Sequence, residues 1–469
     1  MKLKRDISKF NLLLLSIGSI VGSGWLFGSF YTAKLAGPAA IISWAIGGFF
    51  VFVIALTLAE LSCMLPLAGG STSYIAITHG KLAGGIFAWI TWLWAMVIAP
   101  IEVQAILQYA SNYFPGPVII DPTTHVLTAV GIGYAAILML ILSAVNMIGV
   151  KFMAETNKFI VFWKLVIPIA IALVLIFYKP HFSNLTTSDF APNGISGIFS
   201  SISNGGIAMS FFGFQTAIFL AGESKNPQKA IPFSLFGSIL FCAVLYIALQ
   251  VGFILALDPS HIQNGWSTIS FQGDAGPFAG IFIALGMVFM VWLLYFDAAL
   301  SPFGTAIGYV ASSSRILYSL SLQGDAPKFL TKVNKFSIPW ITIVINFITG
   351  MCLFLPFSGW QEMASFISAA IVVTIAYGPI CLPIFRKYHP ELERPFKLKY
   401  MNAVCFFTFY ICNLILHWTG WNTIWKLEVA VVIGLILQIS YHFYKERNFK
   451  LNIKESLWVF VYLIVSGII

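Results

Sequence analysis

The chain has 469 residues, 59% of them hydrophobic and only 9% charged, with a mean hydropathy of +0.89. A soluble domain carries roughly 25% charged residues, so the sequence describes a polytopic membrane protein and leaves no room for a sizeable soluble domain. The net charge of +9 would suggest nucleic acid only if the charges were not placed along the chain.

Apolar windows of roughly 20 residues read as spanning helices. Twelve occur, near 11–34, 38–64, 84–113, 125–148, 157–178, 196–223, 231–257, 278–318, 338–356, 361–386, 402–419 and 424–444. The eighth is long enough for one steeply tilted helix with a cytoplasmic extension. A further apolar run, Ser456 to Ile469, would rise only about 21 Å as a helix, against a hydrocarbon core of about 30 Å. Either it is half-inserted or the natural chain continues. The basic N-terminus lacks a small-residue cleavage site after its apolar run and is expected to stay attached.

Orientation follows from Lys and Arg. Alternate loops, starting with the N-terminus, hold 22 of the 26 basic residues; the opposite side holds only Lys34, Lys179 and Lys426. The N-terminus is therefore expected in the cytoplasm, and the basic loops are topology signals rather than a nucleic-acid surface. The one basic residue left over is Lys164, about seven residues and so roughly 11 Å into the fifth segment. That is far for a stem snorkelling to the interface, and ionisable residues at such depth are functional candidates.

The first segment contains Ser16–Gly28, SIGSIVGSGWLFG, with Gly18, Gly22, Gly24 and Gly28. The spacings Gly18-x-x-x-Gly22 and Gly24-x-x-x-Gly28 also fit close helix packing. Two glycines flanking Ser23, however, loosen the helix more than packing requires. Unpaired backbone groups cost several kcal/mol each in hydrocarbon, so a break is tolerated where it lines a binding cavity. A break here would aim N–H groups of the outer half at an anion such as a carboxylate, and free carbonyls such as that of Ile20 for an ammonium. A second break is expected near Ser203–Gln215, SNGGIAMSFFGFQ, around Gly213. Two interrupted segments at matching places in two halves are the pattern of an inverted-repeat transporter.

Glu102, after Pro100 in the third segment, and Asp297, before Pro302 in the eighth, are the deepest acids. Each is suited to carry a proton or face an ammonium, or else to make a structural hydrogen bond. Glu60, near the cytoplasmic end of the second segment, reads as structural. The six cysteines form no C-x-x-C pair and read as small apolar core residues. No zinc-ligand spacing, Walker loop or nucleophile elbow occurs, so neither an enzyme nor a bound metal or cofactor is expected.

These residues resemble the amino acid–polyamine–organocation transporters, from about Ser8 to Tyr400. The resemblance is carried by GSIVGSG in the first segment, AELSCMLPLAGGSTSY (59–74), FFGFQTAIFLAGESKNPQKAIP (211–232) and SSRILYSLSLQGDAPKFLTKVN (313–334). DAALSPFGT (297–305), APIEVQAILQYASNYFP (99–115) and HPELERPFKLKY (389–400) are similar to a subgroup that includes bacterial aspartate:proton symporters.

The resemblance implies an all-α, five-plus-five inverted repeat with segments 1 and 6 unwound at the midplane. The transporter core would cover 1–400, with repeats at about 11–178 and 196–386 and accessory helices from 401 to 469. It implies a substrate carboxylate on the N–H groups of Gly22, Ser23 and Gly24, and a substrate ammonium on the carbonyls of Ile20, Met209 and Phe212. Phe214, Gln215 and Tyr309 would line the side-chain pocket. Gln215 stands where a glutamate is common after the glycine of segment 6. Lys164, in NKFIVFWKLVIP, matches a lysine that replaces a sodium ion in proton-coupled relatives.

The function so implied is proton-coupled import of an α-amino acid, acidic or neutral-polar, across a bacterial plasma membrane. The partners would be the amino acid, protons and the bilayer, with no nucleic acid. Lys164, Glu102 and Asp297 would serve coupling. An amino-acid exchanger uses the same scaffold, and a receptor that binds without transporting is a third reading. A channel would want rings of polar or charged side chains along a pore, and none is evident.

Overall fold

The computed structural model describes residues 7–66, 70–111, 116–121, 126–148, 150–186, 189–220, 224–271 and 276–446, with a few positions beyond. The apolar run 456–469 lies largely outside the described residues, as do Lys2, Lys4, Arg5 and the motif positions 67–69, 112–115 and 221–223.

The described residues are helical and contain no strand, only two isolated bridges. In chain order the helices are α1 (Lys9–Ile20), α2 (Gly24–Ala36), α3 (Ala40–Met64), α4 (Gly70–Ala110, kinked at Gly80), α5 (Ala129–Ile148) and α6 (Val150–Phe177). Then come α7 (Gly194–Asn204), α8 (Ile207–Phe211), α9 (Thr216–Phe219), α10 (Pro227–Ala256), α11 (Pro277–Ala284) and α12 (Val288–Gln323). The last are α13 (Trp340–Cys352), α14 (Trp360–Ile375), α15 (Tyr377–Tyr388), α16 (Met401–Trp418) and α17 (Trp421–Glu446).

Among the described residues nine helical stretches are long and apolar enough to cross a membrane, and the shorter apolar helices Lys9–Ile20, Ile207–Phe219 and Trp340–Cys352 accompany them. The count differs from twelve because breaks divide some segments and because α2 and α3 run on through one turn of 3-10 helix, Gly37–Ala39. Joined across their breaks, the pieces follow the twelve windows in order. One expectation needs correction. The eighth segment is not a single helix, because Gly286 at φ 71° stops α11 and lets the chain turn into α12. That left-handed conformation is open to glycine at no steric cost. The 36 residues of α12 still span about 54 Å, more than a bilayer core. A second correction concerns Cys352, which is exposed at the end of α13 while the other five cysteines are buried.

The packing reveals the repeat. Number the passes 1 (α1, α2), 2 (α3), 3 (α4), 4 (α5), 5 (α6), 6 (α7–α9), 7 (α10), 8 (α12), 9 (α13) and 10 (α14, α15). Exchange each pass with the one five places away, and nearly all the contacts map onto themselves. The pairs α3–α10, α4–α12 and α5–α13 are each their own image. The contact α4–α14 becomes α12–α6, α6–α10 becomes α15–α3, and α1–α10 becomes the contact of α7 and α8 with α3. Five is odd and successive passes alternate in direction, so each pass and its image run oppositely. That is an inverted repeat. Helices α16 and α17 stand outside it and pack on α14, α15, α3, α4 and α7.

One buried ion pair ties the edge of this core. The fully buried Glu60 of α3 accepts from Arg386 of α15 at Nε (2.7 Å) and Nη2 (2.6 Å), and from the Leu398 N–H (2.8 Å). A bidentate guanidinium is the geometry in which a buried carboxylate is best satisfied. Breaking a buried pair from one side costs about 3 kcal/mol or more. Glu60→Ala is therefore expected to lower the melting temperature of the detergent-purified protein by several degrees, read by static light scattering or tryptophan fluorescence. An unchanged melting curve would show that the clamp contributes nothing.

Candidate functional site

The first segment breaks where its glycines predict. Helix α1 ends at Ile20, Val21 is extended (φ −78°, ψ 94°), and α2 starts at Gly24. In the sixth segment α8 ends at Phe211 and α9 begins at Thr216, with Phe212 extended (φ −71°, ψ 131°) and Gly213 at φ 140°. The two breaks lie against each other. A Cβ on Gly213 would sit 2.6 Å from the carbonyl carbon of Ser19 and 2.7 Å from the Ile20 nitrogen. Both the backbone angle and the contact exclude a side chain there. The Tyr246 hydroxyl of α10 stitches the breaks, lying 3.3 Å from the Ile20 carbonyl and 3.1 Å from that of Ser210. Its single proton serves one acceptor at a time.

Between the breaks lies a cleft of about 10 Å³, lined by Ser19, Ile20, Gly22, Gly24, Ile98, Glu102, Met209, Ser210, Phe212, Thr305 and Tyr309. That is close to the space one water needs. The geometry thus brings together Ile20, Gly22, Gly24, Met209, Phe212, Tyr309 and Glu102, all singled out from sequence. Ser23, Gly213, Phe214 and Gln215 are buried behind the lining. Ser23 accepts the indole N–H of Trp360 at its Oγ (2.8 Å). Gln215 turns back on its own break and accepts from the Gly213 N–H through Oε1 (3.1 Å). The Met209 carbonyl accepts from the Phe212 N–H (3.1 Å).

The ionisable residues converge here from three passes. Lys164, 2% exposed, does not snorkel: its ammonium donates to the Gly18 carbonyl (3.1 Å) and to Thr305 Oγ1 (2.5 Å). Glu102, 1% exposed, accepts from the Ser23 N–H at Oε2 (2.9 Å) and, more weakly, Oε1 (3.3 Å). Asp297 is fully buried on α12, within electrostatic reach of Lys164 and the Trp163 indole. A point where a Gly22 side chain would begin lies 2.5 Å from Glu102 Oε1 and 3.1 Å from Thr305 Oγ1. The amine of one pass, the hydroxyl of a second and the carboxylate of a third therefore surround the first break.

Sequence reasoning missed Thr305, Ser210, Tyr246 and Trp360. Thr305 had a readable signal. Asp297, Ser301, Thr305, Tyr309 and Ser313 recur every four residues, which sets them along one face of α12. A polar stripe in an apolar spanning helix faces protein, not lipid. Trp360 starts α14 and stacks on Tyr31 (5.8 Å, 4°) and Phe27 (5.2 Å, 28°) of α2. No local pattern distinguishes it from an ordinary core tryptophan.

Two interrupted helices that cross at a polar cleft, inside an inverted repeat, are the pattern expected of a transporter. The sequence profile of the amino acid permeases matches residues 7–466. The chain belongs to the amino acid permease family. The permease is 34% identical over 477 residues to the glutamate/serine transporter AimA of Bacillus subtilis, covering 100% of this chain and 87% of the other. It is 32% identical over 467 residues to the aspartate-proton symporter of the same species, covering 98% and 89%. The branched-chain amino acid permease BcaP of Bacillus subtilis is 25% identical over 461 residues, covering 96% and 95%. The permease is thus an integral membrane amino-acid transporter of the amino acid–polyamine–organocation superfamily and not an enzyme.

Proposed function

We propose that the permease imports an α-amino acid, acidic or neutral-polar, by proton symport with alternating access. It would do so across a bacterial plasma membrane with its N-terminus in the cytoplasm, as the asymmetry of basic loops favours. The observation that carries the coupling reading is the Lys164 ammonium on the Gly18 carbonyl and Thr305 hydroxyl. A fixed amine beside the first break supplies a positive charge there without a bound cation, and it can give up or take a proton where a metal ion cannot.

The substrate carboxylate would approach the N–H groups of Gly22, Ser23 and Gly24, at the start of a helix whose dipole favours an anion. Its ammonium would approach the carbonyls of Ile20, Met209 and Phe212. The side chain would point to Tyr309, with Thr305 and Ser210 as further hydrogen-bonding partners; Phe214 and Gln215 would act from behind the lining. The cleft is far smaller than the roughly 300–1,000 Å³ of ligand pockets, so entry would require α2, α8 and α12 to part. An acidic side chain needs several donors or a cation, and among the described residues only Lys164 brings a cation to the cleft's edge. The names of the two similar Bacillus transporters, one for glutamate and serine and one for aspartate with a proton, favour the acidic or small polar class.

The test is uptake of L-glutamate, L-aspartate and L-serine into proteoliposomes holding the purified permease. Accumulation under an imposed pH gradient, indifferent to sodium, is the expected result. Strict dependence on sodium would overturn proton coupling. Uptake only against internal amino acid would establish the exchanger instead, and binding without any flux the receptor. Competition across the common amino acids at two pH values would fix the substrate; preference for arginine or a polyamine would overturn the acidic or neutral-polar class.

A further inference from the structure

The Ser23 N–H is already held by a carboxylate. Glu102 reaches it from α4, with one oxygen at 2.9 Å and the other at 3.3 Å. Its side chain is almost wholly buried and forms part of the cleft wall. Gly22 leaves the space the carboxylate fills, since a Cβ there would fall 2.5 Å from Glu102 Oε1. So the backbone donor, the absent side chain and the acid fit one another as a built anion site with its anion supplied by the same chain.

We infer that Glu102 is a tethered occupant of the carboxylate end of the binding site. An incoming amino acid must displace it, and the carrier closes on Glu102 when no amino acid is carried. The inference rests on reading this cleft as the amino-acid site. Two carboxylates cannot share one N–H in a cleft of about 10 Å³, so substrate binding is an exchange of one carboxylate for another. The Ser23 N–H of the broken first segment, costly to leave unpaired in a dry interior, has a carboxylate partner in either case. A carrier that satisfies its own break has no need of substrate to reorient. That favours net uptake over obligatory exchange.

Three groups bear on Glu102 from neighbouring passes: Lys164 of α6, Tyr246 of α10 and Tyr309 of α12. None of them is a second backbone donor, so none replaces Ser23 as its anchor. Trp360 holds the other side of Ser23 through the hydroxyl, which keeps the N–H facing Glu102.

The test compares wild type with Glu102→Ala and Glu102→Gln, each first checked for a monodisperse profile in detergent. Equilibrium binding of L-glutamate, L-aspartate and L-serine to the full chain should tighten about tenfold in Glu102→Ala, because a charge-assisted hydrogen bond no longer competes. Glu102→Gln keeps an oxygen on Ser23 and should tighten less. In proteoliposomes, downhill uptake with no proton gradient and no internal amino acid should fall at least tenfold in Glu102→Ala. Exchange of internal for external amino acid should fall less than downhill uptake does. This split places the defect in the return of the empty carrier, not in substrate binding or the movement of the loaded carrier. Weaker binding in both variants, with wild type binding normally, overturns the inference alone, as does equal loss of downhill uptake and exchange. A wild-type protein that binds none of the three amino acids overturns the site reading and this inference with it.

Discussion

Replacing Lys164 by alanine is expected to abolish proton-driven accumulation. A pH gradient of one unit can sustain about a tenfold concentration ratio for each proton carried. Wild type should approach that ratio for L-serine, and Lys164→Ala should equilibrate at a ratio of about one. The fold should survive, because the lost bonds are to a helix-end carbonyl and to a hydroxyl with its own support: Thr305 Oγ1 also donates to the Ser301 carbonyl (3.3 Å). Lys164→Met keeps most of the packing of the stem while removing the amine, and it should behave like alanine. The measurement is accumulation with and without an ionophore that collapses the gradient. If Lys164→Met accumulates substrate as well as wild type does, the amine has no part in coupling.

The sequence was most legible where membrane chemistry constrains it most. Apolar runs set most segment positions within a few residues, since no other composition survives in hydrocarbon; the helices of the third and fifth passes begin earlier, at Gly70 and Val150. Glycines marked both breaks, because Gly213 at φ 140° can hold no other residue without strain. Lys164, Glu102 and Asp297 stood out because burying ionisable groups without purpose is costly. What the sequence could not give was partnership. Glu102 and Ser23 lie 79 residues apart, and Trp360 and Ser23 lie 337 apart. No periodicity links such positions; only the crossing of passes 1, 3 and 10 does. The turn at Gly286 was hidden for a different reason. Its neighbours Ile283, Leu285 and Val288 are as apolar as any helix interior, so composition ran straight through a stop that only the backbone reveals.

The second large effect concerns the helix crossing at Gly24. A Cβ there would lie 2.9 Å from Ser210 Cβ and 3.0 Å from Ser210 Cα, closer than carbon atoms approach. Ser210 cannot yield by rotating its side chain alone, because its backbone is part of α8 and its hydroxyl donates to the Gly206 carbonyl (2.7 Å). Gly24→Val must therefore push α2 away from α8, and these two helices form opposite walls of the cleft. Losing one charge-assisted hydrogen bond from the cleft costs about tenfold or more. Substrate binding should weaken by at least that factor, with membrane insertion unchanged because the apolar content of the segment rises. Gly308→Ala is the control. It lies on α12 one residue before Tyr309, and a Cβ there meets nothing within 4 Å. By helix propensity it should be neutral or stabilising by up to about 1 kcal/mol. Thermal shift of the two variants with L-serine or L-glutamate is the check. Equal stabilisation by substrate in Gly24→Val and Gly308→Ala would mean that the amino acid does not bind between the two broken helices.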